Sequence, residues 1–222
     1  MATTRTQTVV TPRHRLGLRS SGVPMTAAEF DALRPGHFIG YLRYELINGL
    51  LIVTPPPGNA EVDPNDELGY LLRTYCDSHP DGSSLDLTLP EQTLIAGENR
   101  RRCDRAIWAG LGRLPDTEAE APTIAVEFVS RRRRDFVRDY EVKRAECLAA
   151  GVREYWVIDP FRRILTVFRP DALVLTVAES ETYQTPPLPG FVLPLSRLLG
   201  RADLWNTPRT RTRKPPAGGT DG

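Results

Sequence analysis

The stretch TIAVEFVSRRRRDFVRDYEVK, residues 123–143, decides the fold of this chain. Its first part, Thr123–Ser130, is largely apolar and β-branched, which predicts a central strand buried on both faces. Residues 134–150 have the spacing of a helix that ends at Gly151. Glu127 lies in the middle of the buried strand. An ionised carboxylate in an apolar interior must be paired, protonated or bound to a metal, so the stretch predicts a buried charge with a specific partner.

The composition is that of one soluble domain. The chain has 222 residues, of which 40% are hydrophobic and 26% are charged. No run of about 18 apolar residues predicts a membrane span, and the N-terminus does not read as a secretory signal. The three cysteines are widely spaced and form no CxxC pair, which suits a reducing compartment. We therefore expect a cytoplasmic protein, and its net charge of +1 gives no general attraction to nucleic acid.

The ends of the chain differ in composition from its middle. Residues 1–24 are predicted to be a flexible N-terminal arm, and residues 201–222 a disordered basic tail rich in Pro and Gly. Between them, residues 25–200 form the predicted folded domain. Strands predominate there and helices interrupt them, so the fold class is α/β or α+β.

Local signals place several elements within this domain. Thr26 followed by Glu29 predicts a capped helix, and Asn48-Gly49 predicts a tight hairpin. Residues 54–64 are expected to be a loop that precedes a helix, and residues 181–200 mostly loop with a final helical turn.

Three further charged residues accompany Glu127. Lys143 lies at the flank of the apolar face of the predicted helix, from which it can lean over the sheet. Asp104 precedes a short apolar strand in CDRAIW, and Glu45 lies in the hairpin strand of YELINGLL. Each also has a structural explanation. Glu127 could pair with an arginine and Lys143 with Asp139, while the other two acids could be an ordinary strand-start residue and an edge residue.

Taken together, these residues suggest a chemical site. Carboxylates on adjacent strands offer the oxygen ligands that Mg²⁺ or Mn²⁺ prefers. A nearby ammonium can orient a water molecule, and the metal can polarise a phosphoryl oxygen. This combination suits phosphodiester hydrolysis, for which no nucleophilic side chain is needed.

The chain also resembles a known group of proteins. The succession YELINGLLIVTPPPG, CDRAIWAG, TIAVEFVS, RDYEVKRAECLAAGV and REYWVIDP is similar to that of the Uma-type restriction endonucleases, within the PD-(D/E)XK nuclease superfamily. The resemblance covers about residues 25–200. It implies a restriction-endonuclease-like fold, with a mixed central β-sheet flanked by helices. It also implies a metal-dependent nuclease site in which Asp104 and Glu127 bind the metal, Glu45 is a further ligand and Lys143 is catalytic.

Two positions depart from the pattern of that superfamily. Cys103 stands where a proline is expected before the aspartate. Val129 stands where a lysine is expected two residues after Glu127. The resemblance therefore implies that Lys143, on the next helix, supplies the positive charge from another backbone position.

Arginines cluster on both sides of the candidate site. Arg101 and Arg102 precede Asp104, while Arg131, Arg132 and Arg133 follow the Glu127 strand. These arginines are predicted to contact nucleic-acid phosphates, although such a run is more often a solvated surface. No base-reading motif accompanies them.

The prediction is a Mg²⁺-dependent (or Mn²⁺-dependent) DNA endonuclease without a membrane association, and a homodimer would suit cleavage of both strands. Two alternatives stay open. One is an inactive protein of the same fold that binds nucleic acid or a protein partner. The other is a metal-dependent phosphodiesterase acting on RNA or on a small nucleotide.

Overall fold

A computed structural model describes residues 15–130 and 137–206. The helices are α1 (Ala27–Asp31), α2 (Asn59–Ser78), α3 (Val137–Ala149) and α4 (Leu195–Asn206). The strands are β1 (Arg43–Ile47), β2 (Leu50–Thr54), β3 (Leu85–Ala96), β4 (Asn99–Ala109), β5 (Ile124–Phe128), β6 (Glu154–Asp159), β7 (Ile164–Phe168), β8 (Val174–Ala178), β9 (Thr182–Gln184) and β10 (Val192–Pro194). Short 3-10 turns occupy Leu18–Ser20, Pro35–His37 and Gly82–Ser84.

One large mixed sheet organises the protein. Its strand order is β2-β1-β4-β5-β6-β7-β8, and β3 pairs with β4 beside this path. β5 and β6 run parallel, joined by a crossover that contains α3, and the other paired neighbours in this sheet are antiparallel. All five residues of β5 are buried. The predicted mixed sheet and the predicted central strand are therefore confirmed.

The long strand β4 carries three neighbours on two edges. β3 pairs with it along its whole length, from Ala109 to Asn99. On the other edge, β1 meets β4 at Arg100, and β5 meets it only at Arg105–Ile107. β1 and β5 therefore diverge along residues 101–104 of β4. We call this opening, where side chains replace a neighbouring strand, the fork.

Apolar layers cover both faces of the sheet. On one face, α2 and α4 pack through Leu68, Leu72 and Leu198 against β5 residues such as Val126. On the other face, a second cluster contains Cys147 of α3 together with residues of β4, β5 and β6. A third cluster surrounds the β1-β2 hairpin. None of the helices in the described part of the chain is long and apolar enough to cross a bilayer.

Two local predictions are confirmed in detail. The Thr26 side chain accepts a hydrogen bond from the backbone N–H of Glu29 at 3.2 Å, and the Glu29 carboxylate accepts one from the N–H of Thr26 at 2.8 Å. Asn48 and Gly49 both have positive φ, 51° and 75°, which is the conformation required by the tight turn between β1 and β2.

Three predicted boundaries were wrong, because burial against neighbours outweighed local composition. Residues 15–24 do not belong to a free arm, since Leu16 is buried and Pro24 bridges to Leu50 of the hairpin. α2 begins at Asn59 rather than after Pro64. Pro64 is tolerated inside the first turns of this helix because its missing N–H removes only one backbone hydrogen bond. Residues 201–206 continue α4 instead of starting a tail. Residues 1–14 and 207–222 lie outside the described residues.

The segment 181–200 was also read incorrectly as mostly loop. It contains β9 and β10, which pair antiparallel as a separate two-stranded sheet, and the beginning of α4. The buried face of α4, with Leu195, Leu198, Leu199 and Ala202, explains why this helix extends beyond residue 200.

Candidate active site

Glu127 of β5 and Lys143 of α3 form a buried ion pair in the fork. The Glu127 side chain has no exposed surface, and that of Lys143 is 9% exposed. The Lys143 ammonium also donates a hydrogen bond to the main-chain carbonyl of Arg102, and its Nζ lies 3.9 Å from Oε1 of Glu45. Glu127 thus pairs with Lys143, and one ammonium connects β5, β4 and β1.

Glu45 completes the hydrogen bonding of β4 on the same edge. Its Oε1 accepts a hydrogen bond from the backbone N–H of Arg102 at 3.0 Å. Both main-chain polar groups of Arg102 are therefore bound by side chains, Glu45 at the N–H and Lys143 at the carbonyl. A buried backbone group without a partner is costly, so these side chains stabilise the fork as well as occupying it.

Asp104 lies at the β5 side of the fork. Its Oδ2 accepts a hydrogen bond from the backbone N–H of Phe128 at 2.7 Å, next to Glu127 in sequence. Arg105 pairs with Val126 in the antiparallel register, so Asp104 stands one step further along, opposite Glu127. The backbone positions of the two acids are therefore neighbours across the opening.

A second cation holds Asp104. Nη2 of Arg43, on β1, donates a hydrogen bond to Oδ1 of Asp104 at 2.7 Å. The same guanidinium binds Glu91 of β3 through both carboxylate oxygens, with Nε donating to Oε2 at 2.8 Å. Arg43 and Glu45 are two residues apart on β1 and so share a face of that strand. Glu91 also accepts a hydrogen bond from Nε of Arg102 at 2.9 Å, and the main chain of Arg102 contacts Glu45 and Lys143, so the two ion pairs belong to one connected polar network.

A cleft opens beside Asp104. It has a volume of about 210 Å³, and its walls include Arg43, Glu91 and Asp104 on the sheet side and Glu61 and Asp66 on α2. This cleft gives the Asp104 end of the network a route to solvent, whereas Glu127 itself stays enclosed.

Beneath the cleft, Asn65 of α2 connects the helix to β4. Its side-chain amide donates to the main-chain carbonyl of Asp104 at 2.7 Å and accepts from Nε of Arg105 at 2.7 Å. Burial lowers the pKa of Arg105 to about 10, which still leaves it charged at neutral pH. Arg105 also donates to Thr88 on β3, so the wall of the cleft is fixed by buried hydrogen bonds to two strands.

Two buried cysteines line the enclosed side of the fork. Burial raises the pKa of the Cys103 thiol well above its usual value, and the negative charge of Glu127 raises it further. Burial likewise raises the pKa of Cys147 to about 12, although the positive charge of Lys143 opposes this shift. Both thiols therefore stay neutral, and the charge in this region is carried by the carboxylates and the lysine.

The donor atoms of the fork suit a hard divalent cation, since carboxylate oxygens are the ligands such ions prefer. Asp104 and Glu127 would hold the ion, with Glu45 beside them. In this arrangement each of the first two carboxylates already contacts a cationic side chain. Within residues 15–130 and 137–206, no group of three or more His, Cys, Asp or Glu side chains is preassembled for a metal ion. Binding would therefore require a change of partner at Asp104 or Glu127.

The structure separates the predicted phosphate-binding arginines. Arg101 is only 2% exposed and pairs with Glu146 of α3 at 2.5 Å, so its guanidinium is directed to α3 and away from solvent. Arg102 is half-buried and pairs with Glu91 at 2.9 Å. Arg131, Arg132 and Arg133 lie outside the described residues.

Sequence reasoning missed Arg43 and Glu91. An arginine in the segment RYELI reads as an exposed residue of a hairpin strand, although its i, i+2 spacing to Glu45 places both on one strand face. Glu91 lies in the middle of β3, which continues through it although its φ is positive, at 55°. The φ value could not be read from the sequence.

Comparison with solved structures gives the class of fold. The chain is similar to a protein from Anabaena variabilis whose crystal structure is described as that of "a putative nuclease belonging to DUF820". The TM-score is 0.63 at 17% sequence identity, and the match covers 81% of this chain and 99% of the other. The two proteins therefore share a fold.

The family follows from the sequence itself. Residues 28–196 match the family model Uma2, described as "Putative restriction endonuclease", and the chain belongs to this family. No curated protein matches the chain. The family assignment confirms the resemblance based on the five sequence segments.

Proposed function

We propose that this protein is a metal-dependent endonuclease that hydrolyses phosphodiester bonds in DNA. The observation that supports the proposal is the fork, where Lys143 of α3 lies against Glu127 of β5 and near Glu45 of β1, while Asp104 of β4 accepts a hydrogen bond from the backbone N–H of Phe128, the residue after Glu127. Family membership supports a nuclease, and the divalent metal ion follows from what such enzymes generally use.

Each residue has a defined part in this proposal. Asp104 and Glu127 hold a Mg²⁺ or Mn²⁺ ion, with Glu45 as a further oxygen donor. Once bound, the ion would supply Lewis-acid stabilisation of charge on the phosphate and the leaving oxygen. Lys143, held by the Arg102 carbonyl and flanked by two carboxylates, orients a water molecule and stabilises negative charge as that water loses its proton.

The route to solvent favours a substrate that approaches from the Asp104 side. Arg43 lines this cleft together with the carboxylates of Glu61, Asp66, Glu91 and Asp104, so a bound divalent cation would have to offset negative charge before a phosphate could enter. An extended phosphodiester backbone can follow such a surface without any base-reading element, which suits cleavage with little sequence preference. A cytoplasmic location and a homodimer that cuts both strands belong to the same proposal.

Nicking of supercoiled plasmid tests the function directly. Purified protein is incubated with plasmid and Mg²⁺ or Mn²⁺, with a chelator as the negative control. We expect nicked and linear products from the wild type, and only background cleavage from Asp104→Asn and Glu127→Gln. Single-stranded RNA and a dinucleotide, assayed in parallel, separate the phosphodiesterase alternative.

Glu154 provides a matched control. It is another buried carboxylate, on β6, but it is satisfied by Tyr183, Thr185 and Trp156 away from the fork. Glu154→Gln should lower stability while folded protein keeps its cleavage activity. Equal cleavage by wild type and Asp104→Asn would remove the fork from the mechanism. A wild type that shifts DNA on a gel but never cleaves it would favour the inactive alternative.

A further inference from the structure

We propose that Arg43 is a positioning residue, which holds the Asp104 carboxylate until a divalent cation displaces it and then keeps Glu91 as its partner. This inference rests on the proposed function of the fork. It assigns a role to a side chain that neither the family pattern nor the predicted site includes.

The guanidinium of Arg43 is shared unequally between the two acids. Its Nε donates to Oε2 of Glu91 at 2.8 Å, and its Nη2 contacts Oε1 of the same carboxylate. Only Nη2 reaches Asp104, at 2.7 Å from Oδ1. Loss of the Asp104 contact would leave the two-point contact with Glu91 in place. Arg43 would therefore not become a buried cation without a carboxylate, which is the usual penalty when such a pair is broken.

Asp104 is arranged for the same exchange. Its Oδ2 is held by the N–H of Phe128 at 2.7 Å, and this contact does not involve Arg43. Only the partner of Oδ1 needs to change when a divalent cation binds. Because a guanidinium and a metal ion would compete for this one oxygen atom, Arg43 both fixes the orientation of the carboxylate and lowers the apparent affinity for the metal.

Glu91 occupies the position that such an exchange requires. The pairs Pro90↔Arg105 and Gln92↔Cys103 place it across from Asp104 on β3. Its φ of 55° lies in the left-handed region, which is uncommon for a residue other than glycine within a strand. Carboxylates at facing positions of neighbouring strands repel one another, and Arg43 neutralises this pair by contacting both.

Calorimetric titration with Mn²⁺ tests the role of Arg43 without relying on cleavage. We expect Arg43→Gln to bind Mn²⁺ roughly tenfold more tightly than wild type, because one charge-assisted competitor for Asp104 has gone. Arg102→Gln is the matched control. It removes the same charge and also loses a contact with Glu91, at 2.9 Å, but its ion pair is with Glu91 rather than with Asp104. Its Mn²⁺ affinity should change much less.

Arg43→Lys is a second test variant, which can be used if Arg43→Gln does not fold. It keeps the positive charge, but a single ammonium lacks the planar fork that spans both carboxylates, so it should also bind Mn²⁺ more tightly than wild type. Thermal unfolding with and without Mn²⁺ provides a second measurement. The rise in Tm caused by the metal should be larger in both Arg43 variants than in wild type.

Asp104→Asn separates the two levels of the proposal. If wild type binds Mn²⁺ and Asp104→Asn does not, the metal site stands. Equal affinities of wild type and the Arg43 variants, or an equal gain in Arg102→Gln, would then overturn the role of Arg43 alone. If Asp104→Asn binds Mn²⁺ as wild type does, or if neither wild type nor Arg43→Gln binds it, the metal site fails and the inference about Arg43 fails with it.

Discussion

Replacing the two members of the Glu127–Lys143 pair, singly and together, should show that this pair is strongly coupled. The variants are Glu127→Gln and Lys143→Met, which keep approximate shape while removing charge, and the double variant. The pair is almost completely enclosed, with side-chain exposures of 0% and 9%. Removing one partner of such a pair typically costs about 3–5 kcal/mol of unfolding free energy, because the other charge is left buried.

The two single variants should not cost the same. In Glu127→Gln, the Lys143 ammonium keeps the Arg102 carbonyl and still has Glu45 at 3.9 Å, so we expect a loss of about 1–3 kcal/mol. In Lys143→Met, the fully buried Glu127 carboxylate loses its ammonium and the Arg102 carbonyl loses a donor. The expected loss there is about 3–5 kcal/mol. The double variant should lose less than Lys143→Met alone, since no charge is then left unpaired.

Urea unfolding in the presence of a chelator measures these differences. The interaction free energy between the two sites should be at least about 2 kcal/mol in favour of the pair. Additive losses in the double variant would refute the reasoning, because they would mean that the two side chains act independently. A Glu127→Gln protein more stable than wild type would instead show that repulsion among the carboxylates dominates the fork.

Four further predictions concern a buried thiol, a buried ion pair and a helix cap. Cys147, whose pKa burial raises to about 12, should resist alkylation at pH 8 while the exposed Cys76 reacts, and labelling of both in folded protein would contradict the burial. Because its folded pKa lies above the usual 9.0, Cys147 should contribute stability that is complete below pH 9 and is lost as the pH rises towards 12, in urea titrations at each pH. Arg101→Met should destabilise the protein by about 2–4 kcal/mol by leaving Glu146 without its cation on α3, whereas a neutral effect in urea would show that the contact is dispensable. Thr26→Ala should cost about 1 kcal/mol through loss of the helix cap, and Thr26→Ser, which keeps the hydroxyl, should cost less.

The sequence was informative wherever a short-range rule determines structure. The capped helix at Thr26, the Asn48-Gly49 turn and the buried β5 strand follow from local chemistry and apolar patterning. Boundaries were wrong where distant contacts decide them. The extension of α4 beyond residue 200 depends on apolar residues that pack against α2, a contact between segments more than 100 residues apart.

The candidate site shows the same division. The unusual position of Glu127 in an apolar strand marked it as a residue with a partner, and the helical spacing indicated that Lys143 could reach the sheet. The partner at Asp104 could not be found in this way. Arg43 reaches Asp104 because β1 lies next to β4 in the sheet. This neighbourhood is a property of the strand order, and no local sequence pattern indicates it.

In the fork, the side chains of the candidate site also complete the backbone hydrogen bonding of the sheet, so the fold and the site would be retained together during evolution. In a continuous sheet, a neighbouring strand would bind the N–H and carbonyl of Arg102 and the N–H of Phe128. Here Glu45, Lys143 and Asp104 do so. Substituting any of these three side chains exposes a gap in the backbone hydrogen bonding, whatever happens to the chemistry. Selection for a folded chain alone would therefore preserve them, and a descendant that had lost its substrate would still carry the outline of the site.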